Sequence, residues 1–295
     1  MFEPLEYEFF VRGLIAATVV GALCGLIGVY VVLRKMSYIG HGLSHAIFGG
    51  AVVAYVMSLN FYIGASIWGF FSAVLINLTT RQRRFIAADA AIGIITTASF
   101  ALGVALISRY RTFTRSFDAA LFGNILGVDN NDLYAIIGVT VLTFIAIGFM
   151  YRRLLFTTFD PEVAPFFGVS TTWIDTMFSL VLAGAIVVSL QVLGATLIAA
   201  ALVIPPITAR LLTDNFSRMM FLSVFIGAAC GFTGIYVSYF VDVSSGASIV
   251  LVSTAAFMAA MLASVVRDHL ATMRGNEALA TAPLEPGVTK EVIYD

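Results

Sequence analysis

Apolar stretches recur along this chain at residues 10–33, 43–58, 62–79, 87–108, 133–151, 172–191, 194–212, 219–240 and 247–266. Each is long enough, or nearly so, to cross about 30 Å of hydrocarbon as a helix. Inside lipid every backbone N–H and C=O must be satisfied within the protein, so such segments fold as helices rather than open sheet. Composition agrees, because 60% of the 295 residues are hydrophobic and only 11% are charged, against roughly 25% charged in a soluble domain. The expected fold is all-α: a polytopic transmembrane helical bundle of eight to nine spanning helices with short re-entrant or interfacial helices. Residues 1–266 form the membrane domain, with a connector at about 152–171. Residues 267–295 are expected as a mobile, polar cytoplasmic tail.

Basic residues orient the bundle. Arg34 and Lys35, then Arg81, Arg83 and Arg84, then Arg152 and Arg153, then Arg210 and Arg218, then Arg267 and Arg274 follow alternate segments when nine are counted. By the positive-inside tendency those loops are cytoplasmic and the N-terminus is outside. Arg109, Arg111 and Arg115 fall on the outer face as exceptions. With eight spans one end of the chain would change sides. The first eight residues carry three glutamates and no Lys or Arg, so they lack the basic start of a cleaved signal peptide and the first segment is expected to stay. Cys24 and Cys230 lie inside apolar segments and read as buried thiols. A net charge of −1 carries no sign of nucleic-acid binding.

Of only three histidines in the chain, two stand four residues apart in Gly40-His41-Gly42-Leu43-Ser44-His45-Ala46. On a helix that spacing puts His41 and His45 on one face, where two imidazoles can share a borderline metal ion. Interior histidines bonded to carbonyls would explain one such residue. Two stacked together in so apolar a chain favour a metal or proton role. A structural zinc site needs four ligands, so two visible ones suit a transient site completed by water or by other helices.

Three further features are specific. Residues 109–132, with Phe117-Asp118-Ala119-Ala120-Leu121-Phe122-Gly123-Asn124, are too polar to span and too apolar for a free loop, and read as a short surface or re-entrant helix. In Phe159-Asp160-Pro161-Glu162-Val163-Ala164, Asp160 is placed to cap a helix whose first residue is Pro161 and whose first turn holds Glu162. Such a helix suits either docking of a soluble partner or a plain connector. Pro205 and Pro206 interrupt an apolar segment and should kink or break it, a candidate hinge. Gln191, Tyr236, Tyr239, Asp242, Ser244 and Ser245 are expected at outer helix ends, as belt and turn residues or as an entry vestibule.

The two lysines, Lys35 and Lys290, lie in no GxxxxGK[ST] loop, so the chain has no P-loop of its own for ATP. Gly42 follows His41, so there is no His-Glu-x-x-His hydrolase motif. With those residues in view, the chain resembles the permease subunit of the bacterial metal-uptake ABC transporters, the family handling manganese, zinc and iron. The stretches that carry the resemblance are GHGLSHAIFGG (40–50), DAAIGIITTASFALGV (89–104), LFGNILGV (121–128), FDPEVA (159–164), LGATLIAAALVIPPITARLLT (193–213) and GIYVSYFVDVSSGASIVL (234–251). The resemblance implies a multi-pass protein of the bacterial inner membrane, not itself an enzyme, and no permanently bound cofactor. Its implied partners are a second permease copy in a homodimer, a pair of cytoplasmic ATP-binding subunits that hold the ATP, an extracytoplasmic metal-binding delivery protein, and membrane lipid. It makes Phe159, Asp160, Pro161 and Glu162 part of the ATPase-coupling region. In this family the second-segment motif commonly reads Gly-Asp-x-x-Ser-His; His45 matches its histidine, and His41 stands where aspartate is expected. Imidazole in place of carboxylate makes the site softer, a slight lean to Zn2+ over Mn2+ with iron possible. The rival readings are an intramembrane metalloenzyme using His41 and His45, and a gradient-driven secondary metal transporter.

Overall fold

A computed structural model describes residues 3–82, 88–110 and 121–281. The long helices are α1 (Glu8–Leu33), α2 (Ser37–Val56), α3 (Phe61–Gln82), α4 (Ala88–Tyr110), α5 (Asn130–Phe159), α6 (Thr171–Leu212), α7 (Phe216–Val241) and α8 (Ser245–Thr281). Short 3-10 turns cover Glu3–Glu6, Ile125–Gly127 and Ala164–Phe167. All eight helices are long and apolar enough to cross a membrane. The chain is therefore an all-α, multi-pass membrane protein.

The core is built around α1, which packs against α7, α6 and α5, while α2 packs against α4, α3 and α6. Ala16, Val20, Leu23, Ile27, Val29, Tyr30 and Val31 of α1 are fully buried. A helix apolar on every side and covered on every side is an interior helix. The sparse polar side chains are mostly spent on bonds back to the preceding turn, as in Thr140 Oγ1 to the Ile136 carbonyl at 2.7 Å. Ser223 instead reaches across, donating to the Gly25 carbonyl at 2.7 Å and tying α7 to α1.

Helix α6 departs from a simple span. Its 42 residues would reach about 63 Å if straight, twice the hydrocarbon thickness. Instead both ends lie by the C-terminal end of α1. Near its start, Asp175 accepts a hydrogen bond from Arg34 at 2.8 Å; near its finish, Ala209 packs with Val29 and Met219. The helix folds back at Gly194, whose φ of 74° and ψ of 162° fall in a region essentially reserved for glycine. A Cβ there would also overlap the Leu121 carbonyl.

The stretch around Leu121–Gly127 fills the break. Asn124 N–H donates to the Gln191 carbonyl at 3.0 Å, and Thr196 Oγ1 donates to the Leu121 carbonyl at 2.7 Å. The Gln191 carbonyl released by the break thus keeps a partner, as burial requires.

All nine apolar stretches are helical, and two of them, 172–191 and 194–212, are the arms of α6. Because α6 begins and ends on one face, eight helices still leave the two ends of the bundle on opposite faces, so neither end changes sides. Phe10 stacks on Tyr236 and Tyr239, each at 5.3 Å, whereas Arg267 donates to the Leu211 carbonyl at 3.3 Å on the Arg34 face. Helix α8 continues past residue 266 to Thr281, into the sequence expected as a polar tail.

Two expectations need correction. No break forms at Pro205 and Pro206, where a kink or break was expected; the one residue inside α6 with non-helical dihedrals is Gly194. The helix runs through the prolines because the Leu202 carbonyl, which Pro206 cannot bond, faces Gly28 of α1, where any Cβ would overlap it. Asp160 caps no helix starting at Pro161. It is the C-cap of α5, its N–H donating to the Phe156 carbonyl at 2.9 Å. A helix from Pro161 would need an N–H on residue 165, and that residue is Pro165; the chain forms the 3-10 turn Ala164–Phe167 instead, closed by left-handed Gly168. Helix α2 begins at Ser37, so His41 and His45 lie on one helix, as expected. Residues 111–120, including Asp118, and the tail beyond Thr281 lie outside the described residues.

Candidate metal site and the Arg34 node

The early start of α2 places His41 and His45 inside the helix, one turn apart. Their rings lie 4.8 Å centroid to centroid, edge to face. His45 also meets the Phe100 ring of α4 at 5.0 Å. Its Nδ1 is buried and has no hydrogen-bond partner, while His41 is exposed. Between them Ser44 is fully buried, its Oγ 2.7 Å from the His41 carbonyl and 2.8 Å from the Ala195 carbonyl just past the break in α6. The histidine face of α2 is thereby pinned to the fold-back of α6.

Among the described residues no group of three or more His, Cys, Asp and Glu comes together. The third histidine, His269, is exposed on α8. Two imidazoles with an open nitrogen can hold a borderline divalent ion only with water, carbonyls or groups from elsewhere completing the shell. That composition suits brief contact more than storage.

Of the residues expected at the outer helix ends, Tyr236 and Tyr239 pack on Phe10, Asp242 ends α7 in a left-handed conformation, and Gln191 sits at the α6 break beside Asn124, where Gly246 abuts the Leu193 carbonyl.

A second polar site, missed in the sequence reading, lies at the end of the bundle where α1 finishes. Arg34, read only as an orienting charge, is the C-cap of α1 and its side chain is only 7% exposed. Its Nε donates to Thr158 Oγ1 at 2.9 Å, one terminal nitrogen to Asp175 Oδ1 at 2.8 Å and the other to Thr157 Oγ1. The guanidinium also stands 5.2 Å from the Phe178 ring centroid. Burial lowers its pKa and Asp175 opposes that shift. Beside it opens a cavity of about 400 Å³ bordered by Lys35, Asn77, Thr158, Pro161 and Asp175. A usable signal was present: Asp175 is the only acid in the apolar stretch 172–191, on the face expected for Arg34.

Next to this node runs the α5–α6 connector. Phe159, Phe166 and Phe167 are exposed, Phe166 by 88%. Ser170 starts α6 by accepting from the Trp173 N–H at 3.4 Å. Exposed aromatics gathered on a tight turn at the polar end of a bundle are a docking surface in composition.

The sequence matches the model of the ABC 3 transport family over residues 6–264. It is 39% identical over 284 residues to "Manganese transport system membrane protein MntC" of Halalkalibacterium halodurans, covering 95% of this chain and 97% of the relative. It is 32% identical to "Probable iron transport system membrane protein" of Haemophilus influenzae over 90% of this chain and 93% of that one. Among solved structures, "PsaBC from Streptococcus pneumoniae in complex with Fab" superposes with a TM-score of 0.79 at 33% identity, covering 87% of this chain and 92% of that chain. The chain therefore belongs to the ABC 3 transport family, as a multi-pass membrane permease subunit of an ABC transporter and not itself an enzyme.

Proposed function

We propose that this chain is the permease of an ATP-driven importer that carries a divalent transition metal ion across the bacterial inner membrane into the cytoplasm. The observation that carries this reading is the His41–His45 pair, set in a membrane bundle with a buried, unpartnered Nδ1. Manganese is the first candidate substrate, since several similar relatives bear manganese names; iron follows from others. Zinc remains a second reading on one observation: His41 puts imidazole beside His45, and imidazole pairs favour the later, softer ions.

In this reading two cytoplasmic ATP-binding subunits bind and hydrolyse ATP, and an extracytoplasmic metal-binding protein delivers the ion. A second copy of the chain completes the pathway as a homodimer. Phe159, Asp160, Pro161 and Glu162, with the exposed Phe166 and Phe167, form the surface that meets the ATPase. Helix α6, with its break at Gly194 and its paired Pro205 and Pro206, is the element that bends between outward and inward access.

The test is multi-element analysis of metal-limited cells lacking this gene, complemented with the wild-type chain or His45→Ala. One metal should fall in the deletion and recover with the wild type alone. Unchanged metal content in the deletion, or full recovery with His45→Ala, would defeat the assignment.

A further inference from the structure

Resting on the importer reading, we infer that Arg34 is a positioning residue for transport: it fastens the ATPase-facing connector to the two helices that govern the metal site. Its partners define the role. Thr157 and Thr158 are in the last turn of α5, directly before Phe159; Asp175 and Phe178 are in the first turns of α6; and Arg34 itself forms the turn into α2. That turn is tight, with Lys35 in left-handed backbone at φ 57°. The path onward from it is short. Helix α2 begins at Ser37 and carries His41 in its second turn, and α6 rises from Asp175 to the break that Ser44 holds.

A guanidinium is suited to this place because its planar fork keeps several donors in fixed directions at once. Lysine would retain the charge and lose the fork. A displacement of the connector therefore cannot move α5 alone while this node is intact; it carries the α1–α2 turn and the first arm of α6 with it. Asn77 Nδ2, donating to Thr176 Oγ1 at 2.7 Å, extends the same tie to α3.

The assembled transporter, with its ATPase and delivery subunits, is tested in proteoliposomes with manganese as the probe, comparing wild type, Arg34→Lys, Arg34→Gln and Asp175→Asn. The expected result is preserved assembly and ATP hydrolysis within about twofold, with manganese moved per ATP falling at least about tenfold in Arg34→Gln and less in Arg34→Lys. Uptake and hydrolysis that fall together, or a ratio that does not change, would overturn the role. Hydrogen exchange over residues 171–193, with and without a non-hydrolysable ATP analogue, provides a readout that needs no transport. The wild type should show a nucleotide-dependent change that Arg34→Gln loses, and the same change in both would also overturn it. A wild-type complex that shows this exchange change but moves no metal would defeat the importer reading and leave the positioning role supported.

Discussion

Arg34 and His45 are both polar side chains set into an apolar bundle, and the bundle treats them in opposite ways. Arg34 has donors engaged by two threonines and an aspartate, and an aromatic ring under its plane. His45 has a buried nitrogen with no hydrogen-bond partner, beside a second imidazole that is exposed. An unmet polar atom away from water costs roughly 1–3 kcal/mol. Where a fold uses a polar group for its own cohesion, that cost is offset by partners already in place. Where the partner arrives from outside, the group stays open. The contrast sets a polar group already engaged within the fold beside one left open, the proposed metal contact.

The comparison can be broken from the structural side first. Gly194→Ala forces a side chain onto a backbone region that costs roughly 1–3 kcal/mol for any other residue, and its Cβ overlaps the Leu121 carbonyl as well. Folded protein recovered from membranes should drop by more than about tenfold, at about 1.4 kcal/mol per factor of ten. Wild-type recovery and uptake in that variant would mean the break is dispensable.

Next in size is His45→Ala. Uptake should fall to the level of cells without the gene while the amount in the membrane stays at the wild-type level, because the ring satisfies no hydrogen bond of the fold at Nδ1. Loss of the protein from the membrane, with uptake falling in step, would make His45 a residue of the fold rather than of the metal path. Smaller is the effect of replacing Phe166 and Phe167 with serine. On a hot-spot scale of about 2 kcal/mol for an aromatic anchor, retention of the ATP-binding subunit in pull-downs should weaken by about 10- to 100-fold. Undiminished retention would take the connector out of the interface.

The smallest and most discriminating change is His41→Asp. Exchanging an imidazole for a carboxylate hardens the site, so competition between manganese and zinc should shift toward manganese by about three- to tenfold. No shift would place selectivity wholly with other parts of the importer.

Much of the molecule was legible in the chain itself. Nine apolar stretches are all helical, and the i, i+4 spacing of His41 and His45 does bring the rings together. Two of the basic residues, Arg34 and Arg267, lie at the same end of the bundle, near the start and finish of α6. The errors at Pro205, Pro206 and Gly194 share one cause, which is that local residue type was read without knowing what lies opposite. Pro205 and Pro206 are strong local breakers, yet the glycine across from them lets the helix pass. Gly194 is an ordinary residue in a glycine-rich chain until Leu121–Asn124 is seen lying against it. Asp160 followed by proline has the signature of a helix start, but Pro165 removes the N–H that such a helix would need.

Hydrophobicity and periodicity are properties of consecutive residues, and by themselves they determined that this is an all-helical membrane bundle with a histidine pair on one helix face. The fold-back of α6, the four-way tie of Arg34 and the hold of Ser44 on Ala195 were decided only in three dimensions. Each depends on contacts between residues more than sixty positions apart, such as Asn124 with Gln191, Arg34 with Asp175 or Ser44 with Ala195. No local pattern records which carbonyl a distant hydroxyl or guanidinium will find, because that partner is set by how whole helices pack.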